Sequence, residues 1–341
     1  MIKQFLISLI LFLFILDLDA QENNLNKAEN LYNNGEYSLA QNIFMSELNK
    51  SEKNDFVLYR IAECSKKIGN DDAVYWYQEL LNKYKNSNYY QKSKLDLSYI
   101  YFSEKNYIGS VRLLDDITQK ELRTDEYFFK YGYSLFCLEK YDDAKYYLLK
   151  VEEGKYKALS QYFYAHISYV QKLYHKSLSG FQSLSDDKMF SRIIPYYITQ
   201  IYFYLEKYSE VVEYAVPLLE NVLSSRESEI NRLISDSYYH LSDYENAIIY
   251  FNRYLEITEE ISVIDYFQIG QISIYLEDYE KAIDYLEKVK NVNDSILQYT
   301  SYYLGKSYLK TNKKNFAINA FKNASEIDFD MEIKEESLYN Y

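Results

Sequence analysis

Leu276-Glu277-Asp278-Tyr279-Glu280-Lys281-Ala282 is the stretch whose recurrence decides the fold. Relatives of it stand at Leu241-Ser242-Asp243-Tyr244-Glu245-Asn246-Ala247, Leu205-Glu206-Lys207-Tyr208-Ser209-Glu210-Val211 and Leu138-Glu139-Lys140-Tyr141-Asp142-Asp143-Ala144, with looser copies ending at Ser177, Ser110 and Ala40. The shared tyrosines are Tyr37, Tyr107, Tyr141, Tyr174, Tyr208, Tyr244 and Tyr279, and from Tyr107 onward the steps are 34, 33, 34, 36 and 35 residues. So regular a return means a stacked helical array, because each unit buries its apolar face only against its neighbours.

Working outward from the motif, each unit reads as a helix A, a short turn and a helix B. One register position in helix A holds Ala28, Ala62, Ser98, Gly132, Ala165, Thr199, Ser235, Gly270 and Gly305. A second, in helix B, holds Ala40, Ala73, Ser110, Ala144, Ser177, Val211, Ala247, Ala282 and Ala317. The two are 12 residues apart in every unit except the second, where the interval from Ala62 to Ala73 is 11. Small side chains at both positions let paired helices approach closely. The large residues expected to fill the space around them lie four positions further along helix B: Phe44, Tyr77, Leu114, Leu148, Phe181, Phe251, Leu286 and Phe321, with Ala215 as the exception. Burial of each such side chain contributes roughly 1.5–3 kcal/mol.

With these residues in place, the chain resembles the tetratricopeptide repeat family, whose unit reads Trp-x2-Leu-Gly-x2-Tyr, then Ala, Phe, Ala and Pro. The ninth unit matches best, through Leu304, Gly305, Tyr308, Ala317, Phe321 and Ala324. The likeness runs over about residues 25–329, and its specificity lies in nine copies in register. It implies an all-α chain built as a right-handed α-solenoid of helix-turn-helix repeats.

There are departures. The terminal proline is missing throughout, Phe329 standing in its place in the ninth unit. The second unit lacks the turn tyrosine and has Asp71 near that position. The sixth unit carries Thr199, Val211 and Ala215 at the packing positions and Pro217 inside helix B, where a proline removes a hydrogen bond and is expected to kink the helix.

Composition agrees with a helical array. Only 8 glycines and 2 prolines among 341 residues argue against a turn-rich β protein, and 48% hydrophobic residues supply a core. A formal charge of −13 repels phosphate backbones, which excludes nucleic acid as the expected partner. The 43 tyrosines fit a base-composition bias as well as a selected property.

Residues 1–20 differ from the rest. Lys3, an apolar run from Phe5 to Leu16 and a polar close at Ala20-Gln21 form the layout of a secretory signal peptide. The run is too short for a bilayer, which needs roughly 20 apolar residues. Loss of Lys3, Asp17 and Asp19 on cleavage changes the formal charge from −13 to −12. The expectation is export to the periplasm or beyond as a mature chain that does not span the membrane. The organisation is then a signal peptide at 1–20, an array of about nine repeats at 21–329, and at 330–341 the opening of a further helix, read either as part of a longer protein or as an assembly face. Cys64 and Cys137 fall on helices A two units apart, too far for a disulfide, and are expected to be small buried hydrophobes.

Catalytic patterns are missing. His166, His175 and His240 lack the spacing of a helical metal pair, no glycine-rich phosphate loop or nucleophile elbow occurs, and the pairs Asp71-Asp72, Asp115-Asp116 and Asp142-Asp143 read as solvated turn carboxylates. No enzyme, cofactor or metal is expected.

In the family it resembles, helices A line the concave face that docks partner segments. Transferred unit by unit, the inward positions include Tyr59, Glu63, Tyr239, Phe267 and Tyr302, and most densely Tyr99, Phe102, Phe129, Tyr133, Phe136, Tyr162, His166, Tyr169, Tyr196 and Phe203, the candidate partner-binding stripe. Tyrosine presents a large flat contact with a polar tip at little rotamer cost. About half of these rings are expected to pack between repeats instead. The Lys and Asn carboxylate clamp of some family members is not matched, which disfavours binding of a chaperone tail. The leading expectation is a scaffold of the cell envelope gripping a protein or peptide segment. The alternatives are a structural protein assembling through its C-terminal end, and the helical arm of a larger envelope protein.

Overall fold

The small-residue register predicts paired helices, and a computed structural model describes them for residues 23–50 and 54–341. The signal-peptide reading of residues 1–20 lies outside the described residues. The chain divides into two compact units, Met1–Ile167 and Ser168–Tyr341. The first holds α1 (residues 23–33), α2 (Tyr37–Glu47), α3 (Asn54–Ile68), α4 (Ala73–Lys83), α5 (Tyr90–Ser103), α6 (Tyr107–Asp115), α7 (Asp125–Cys137) and α8 (Tyr141–Leu148). The unit boundary falls within α9 (Lys157–Val170). The second holds α10 (Tyr174–Gln182), α11 (Ile194–Tyr204), α12 (Tyr208–Ala215), α13 (Ser224–His240), α14 (Tyr244–Ile257), α15 (Val263–Tyr275), α16 (Tyr279–Leu286), α17 (Asp294–Lys310), α18 (Lys314–Ser325) and α19 (Met331–Asn340). The architecture is all-α, an array of helix-turn-helix repeats, with no strand among the described residues.

Every small residue of the two register positions is buried, and so are all nine residues four places along helix B. Three glycines give the reason. A Cβ at Gly132 would stand 2.8 Å from Leu148, at Gly270 2.6 Å from Leu286, and at Gly305 2.7 Å from Phe321, so the large residue of helix B leaves helix A no room for a methyl group.

The turn is equally uniform. Two residues before the start of helix B the backbone enters the left-handed region, at Gly35, Lys105, Glu139, Lys172, Glu206, Ser242, Glu277 and Asn312; in the second repeat it does so at Gly69, four residues before α4. In the motif that opened the sequence, Glu277 N donates to Ile274 O (3.0 Å) and Asp278 N to Ser273 O (2.9 Å), the paired bonds of a Schellman stop. Asp278 then caps α16 by accepting from Lys281 N (3.1 Å), as Asp243 and Asn106 cap α14 and α6. Leu-x-Asp-Tyr is therefore a helix stop and a helix start in four residues. In the second repeat the shorter interval has a local cause: Ala73 N reaches back three residues to Asn70 O, whereas Ala40 N and Ala282 N reach back four, and α4 begins at Ala73.

The motif tyrosine ties repeats together. Tyr208 stacks on His240 (4.2 Å), Tyr244 on Tyr275 (4.2 Å) and Tyr174 on Tyr204 (5.3 Å), each ring lying on the last turn of the following helix A.

Three expectations need correction. Pro217 does not kink a continuing helix B: α12 stops at Ala215 and the chain continues as a 3-10 segment, Val216–Asn221, whose hydrogen-bond pattern spares the donor that proline lacks. Cys64 is buried but Cys137 only half-buried, since it closes α7 beside Tyr107 and Tyr133. Asp115 and Asp116 are not simply solvated, because Asp115 accepts from the Tyr131 hydroxyl (2.8 Å) and Asp116 pairs with Lys94 (2.9 Å).

Candidate functional site

In the first unit the stripe residues form a continuous ring cluster. Tyr133 is its hub, with ring centroids 5.6 Å from Phe102, 5.9 Å from Phe129, 6.1 Å from Phe136 and 4.7 Å from Phe163. Phe136 continues to His166 (5.6 Å), which stacks with Tyr162 (6.1 Å). Burial holds the His166 imidazole below its ordinary pKa. Phe129 is buried against Tyr156 (4.8 Å), while Tyr99, Phe102, Tyr133, Phe136, Tyr162 and His166 are half-buried. Phe102, Tyr133 and Phe163, on successive helices A, meet edge to face, so these rings hold neighbouring repeats together.

In the second unit Tyr196 is buried, and Tyr169 and Phe203 are half-buried. The Tyr169 hydroxyl donates to Gln200 Oε1 (2.6 Å), the Gln200 amide donates to Glu229 (2.6 Å), and the Tyr196 hydroxyl also donates to Glu229 (2.8 Å) beneath the Arg226 guanidinium. Burial, reinforced by Glu229, raises Tyr196 to about 12. Phe203 packs on Tyr208 (5.7 Å). Tyr59 and Tyr302, also expected to face inward, are buried.

A cleft of about 590 Å³ opens beside the first ring cluster. Its walls come from the end of α3, the turn after it and the start of α4, the second half of α5, and the first turns of α7, with Lys66, Asp96, Tyr99, Ser103, Glu126 and Lys130 as the polar and aromatic lining. Tyr99 is the only stripe residue that lines it. Lys130 lies over the Tyr99 ring (3.7 Å) and pairs with Glu126 (2.9 Å), and Lys66 pairs with Asp96 (2.7 Å), which also accepts from the Tyr59 hydroxyl (3.2 Å). Desolvation outweighs the Glu126 partner and holds Lys130 below the ordinary lysine range. Burial opposes the charge on Glu126, but hydrogen bonds from Lys130 and Tyr156 outweigh it and hold the carboxyl low. Both lysines already have carboxylate partners, which suits recognition of mixed polar and aromatic groups better than capture of a bare carboxylate. Sequence reasoning missed Lys66, Asp96, Glu126 and Lys130. Their signal was available as Lys or acidic residues one helical turn from stripe positions, for example Glu126 before Phe129 and Lys130.

Among the described residues, no group of three or more His, Cys, Asp or Glu side chains is placed to hold a metal ion, and no helix is long and apolar enough to cross a membrane.

Family models described as tetratricopeptide repeat match residues 56–87, 230–261 and 266–295, which are the second, seventh and eighth helix pairs. The chain is a tetratricopeptide repeat protein. Among solved structures, it is similar to the C-terminal part of a TPR repeat-containing protein from Cytophaga hutchinsonii, 17% identical over 72% of this chain and 98% of that one, with a TM-score of 0.52. It is also similar to a tetratricopeptide repeat protein from Parabacteroides merdae, 13% identical over 76% of this chain and 98% of that one, with a TM-score of 0.43. At such identities the likeness concerns the fold alone. No curated protein matches the chain. Tetratricopeptide repeats generally bind proteins or peptides and are characteristically non-catalytic scaffolds.

Proposed function

We propose that this tetratricopeptide protein is a non-enzymatic scaffold of the cell envelope that holds a segment of a partner protein against its helix A face. The carrying observation is the cleft of about 590 Å³ among α3, α5 and α7, where an aromatic floor at Tyr99 meets two lysine–carboxylate pairs. Such a lining suits an extended segment with an aromatic or aliphatic anchor and flanking polar groups. The export reading rests on the sequence layout of residues 1–20. The test is a photo-crosslinking residue at Ser103, in the cleft wall, compared with one at Tyr146, exposed on α8 and outside the cleft lining. One specific envelope protein crosslinked from Ser103 and not from Tyr146 is the expected result. Equal yields from both positions, or none from either, overturn it.

A second reading, self-assembly, is favoured by the exposed Phe316, Phe329, Met331, Leu338 and Tyr339 around α18 and α19. It requires a sedimentation coefficient that rises with concentration, and a concentration-independent value removes it.

A further inference from the structure

The sixth repeat, the one that departs most from the pattern, borders a second cleft. Because Pro217 ends α12, the chain runs on as the 3-10 segment Val216–Asn221, and this segment, the start of α13 and the end of α14 enclose about 330 Å³. Three carboxylates stand in its wall, Glu220, Glu227 and Glu256, and none pairs with a cation among the described residues. The one cation of the wall, Arg253, lies against the Tyr250 ring at 4.9 Å. Asn231, also in the wall, is only 1% exposed. Its amide nitrogen donates to Glu227 O (2.9 Å), an atom that can only accept, so the amide orientation is fixed and Asn231 Oδ1 is left with no partner in the protein. An unpaired buried acceptor is destabilising, and a donor-bearing ligand would offset that loss.

We infer that this cleft is a binding site for an arginine side chain presented by a protein partner. The carboxylates and Asn231 Oδ1 all ask for donors. They do not gather closely enough to hold a metal ion, whereas a planar guanidinium carries five N–H donors across a wider span. Leu219 and Ile257 give apolar surface for the methylene stem. The site rests on the scaffold reading, adding a second contact of defined chemistry away from the ring cluster.

The probe is N-acetyl-arginine N-methylamide, titrated into the intact protein while amide and side-chain resonances are followed by NMR, with the citrulline and lysine analogues as controls. Expected are saturable shifts at Asn231 and Glu227 with a millimolar Kd, at least fivefold weaker binding for the lysine analogue, and none for citrulline, which keeps the shape but loses the charge. Glu227→Gln and Glu256→Gln should each weaken binding about threefold or more, with unchanged melting confirming that the fold survives. Equal shifts with citrulline, shifts spread over the whole acidic surface, or affinity unchanged in both variants overturn the inference. A crosslinker at Leu219 separates this from the scaffold reading. Capture from Ser103 with neither arginine binding nor capture from Leu219 sinks only this site, arginine binding with capture from Leu219 but not from Ser103 sinks only the cleft among α3, α5 and α7, and no capture from either position overturns both.

Discussion

The eighth and sixth repeats solve one packing problem with different residues. In the eighth, Gly270 and Ala282 leave room and Leu286 fills it, with its branch pressed to the helix α15 backbone at Gly270. In the sixth, the same register positions hold Thr199, Val211 and Ala215, all buried, so bulk has moved from the filling residue to the two contact positions. Thr199 also satisfies its hydroxyl within its own helix, donating to Pro195 O (2.7 Å). What the array conserves is the volume between two helices and the turn that joins them, not a residue list. In the same sixth repeat Pro217 lies in the 3-10 segment that follows α12 and borders the cleft beside α13.

The largest test of this comparison is Leu286→Ala, which should cost about 3 kcal/mol in the urea unfolding of the array, because a cavity opens opposite a glycine that cannot fill it. A loss below about 1 kcal/mol would mean the eighth repeat is as plastic as the sixth. Next, Ala215→Leu should overpack the sixth repeat by about 2 kcal/mol, and adding Thr199→Ala should recover about half of that in a double-mutant cycle. Simple additivity would show that the volume exchange is not real.

Between these repeats, Asp236 on α13 accepts a hydrogen bond from Gln268 on α15. Burial, aided by Asp265 and opposed by Arg232 and Gln268, raises its pKa from 3.8 to about 6. Between those two values the folded state keeps a proton that the unfolded state has released, so stability falls as pH rises through that window and stays lower above it. Asp236→Asn should therefore stabilise the protein by about 1–2 kcal/mol at pH 7.5, an advantage that fades to nothing by about pH 4. A gain independent of pH would place the effect elsewhere. The smallest effect is expected at the turn, where Glu277 and Glu206 both hold left-handed backbone. Replacing either by Gly should stabilise by about 0.5–1 kcal/mol, read as a small rise in Tm, and equally in both repeats if the turn is indifferent to the helix that follows it.

Much of the site escaped the sequence for a physical reason. The family resemblance implied one inward face for Tyr99, Phe102, Tyr133 and Phe136, but a face shared by neighbouring helices is also an interface. Only packing distances separate a ring edge open to a partner from a ring face closed against Tyr133 or Phe163. Phe129 and Tyr196 went to the interior, while Lys66, Asp96, Glu126 and Lys130 line the cleft as two ion pairs, with Lys130 over the Tyr99 ring.

By itself, the sequence determined the repeat, its register, the close approach at Gly132, Gly270 and Gly305, and the all-α class, since each follows from side-chain size recurring at fixed intervals along one chain. Tertiary structure alone decided that Lys105, Glu139 and Glu277 would hold left-handed backbone, that Pro217 would end α12 in a 3-10 turn, and which polar atoms would stay unpaired. These outcomes depend on what neighbouring helices leave to be satisfied, and residues at no fixed spacing in the sequence meet there.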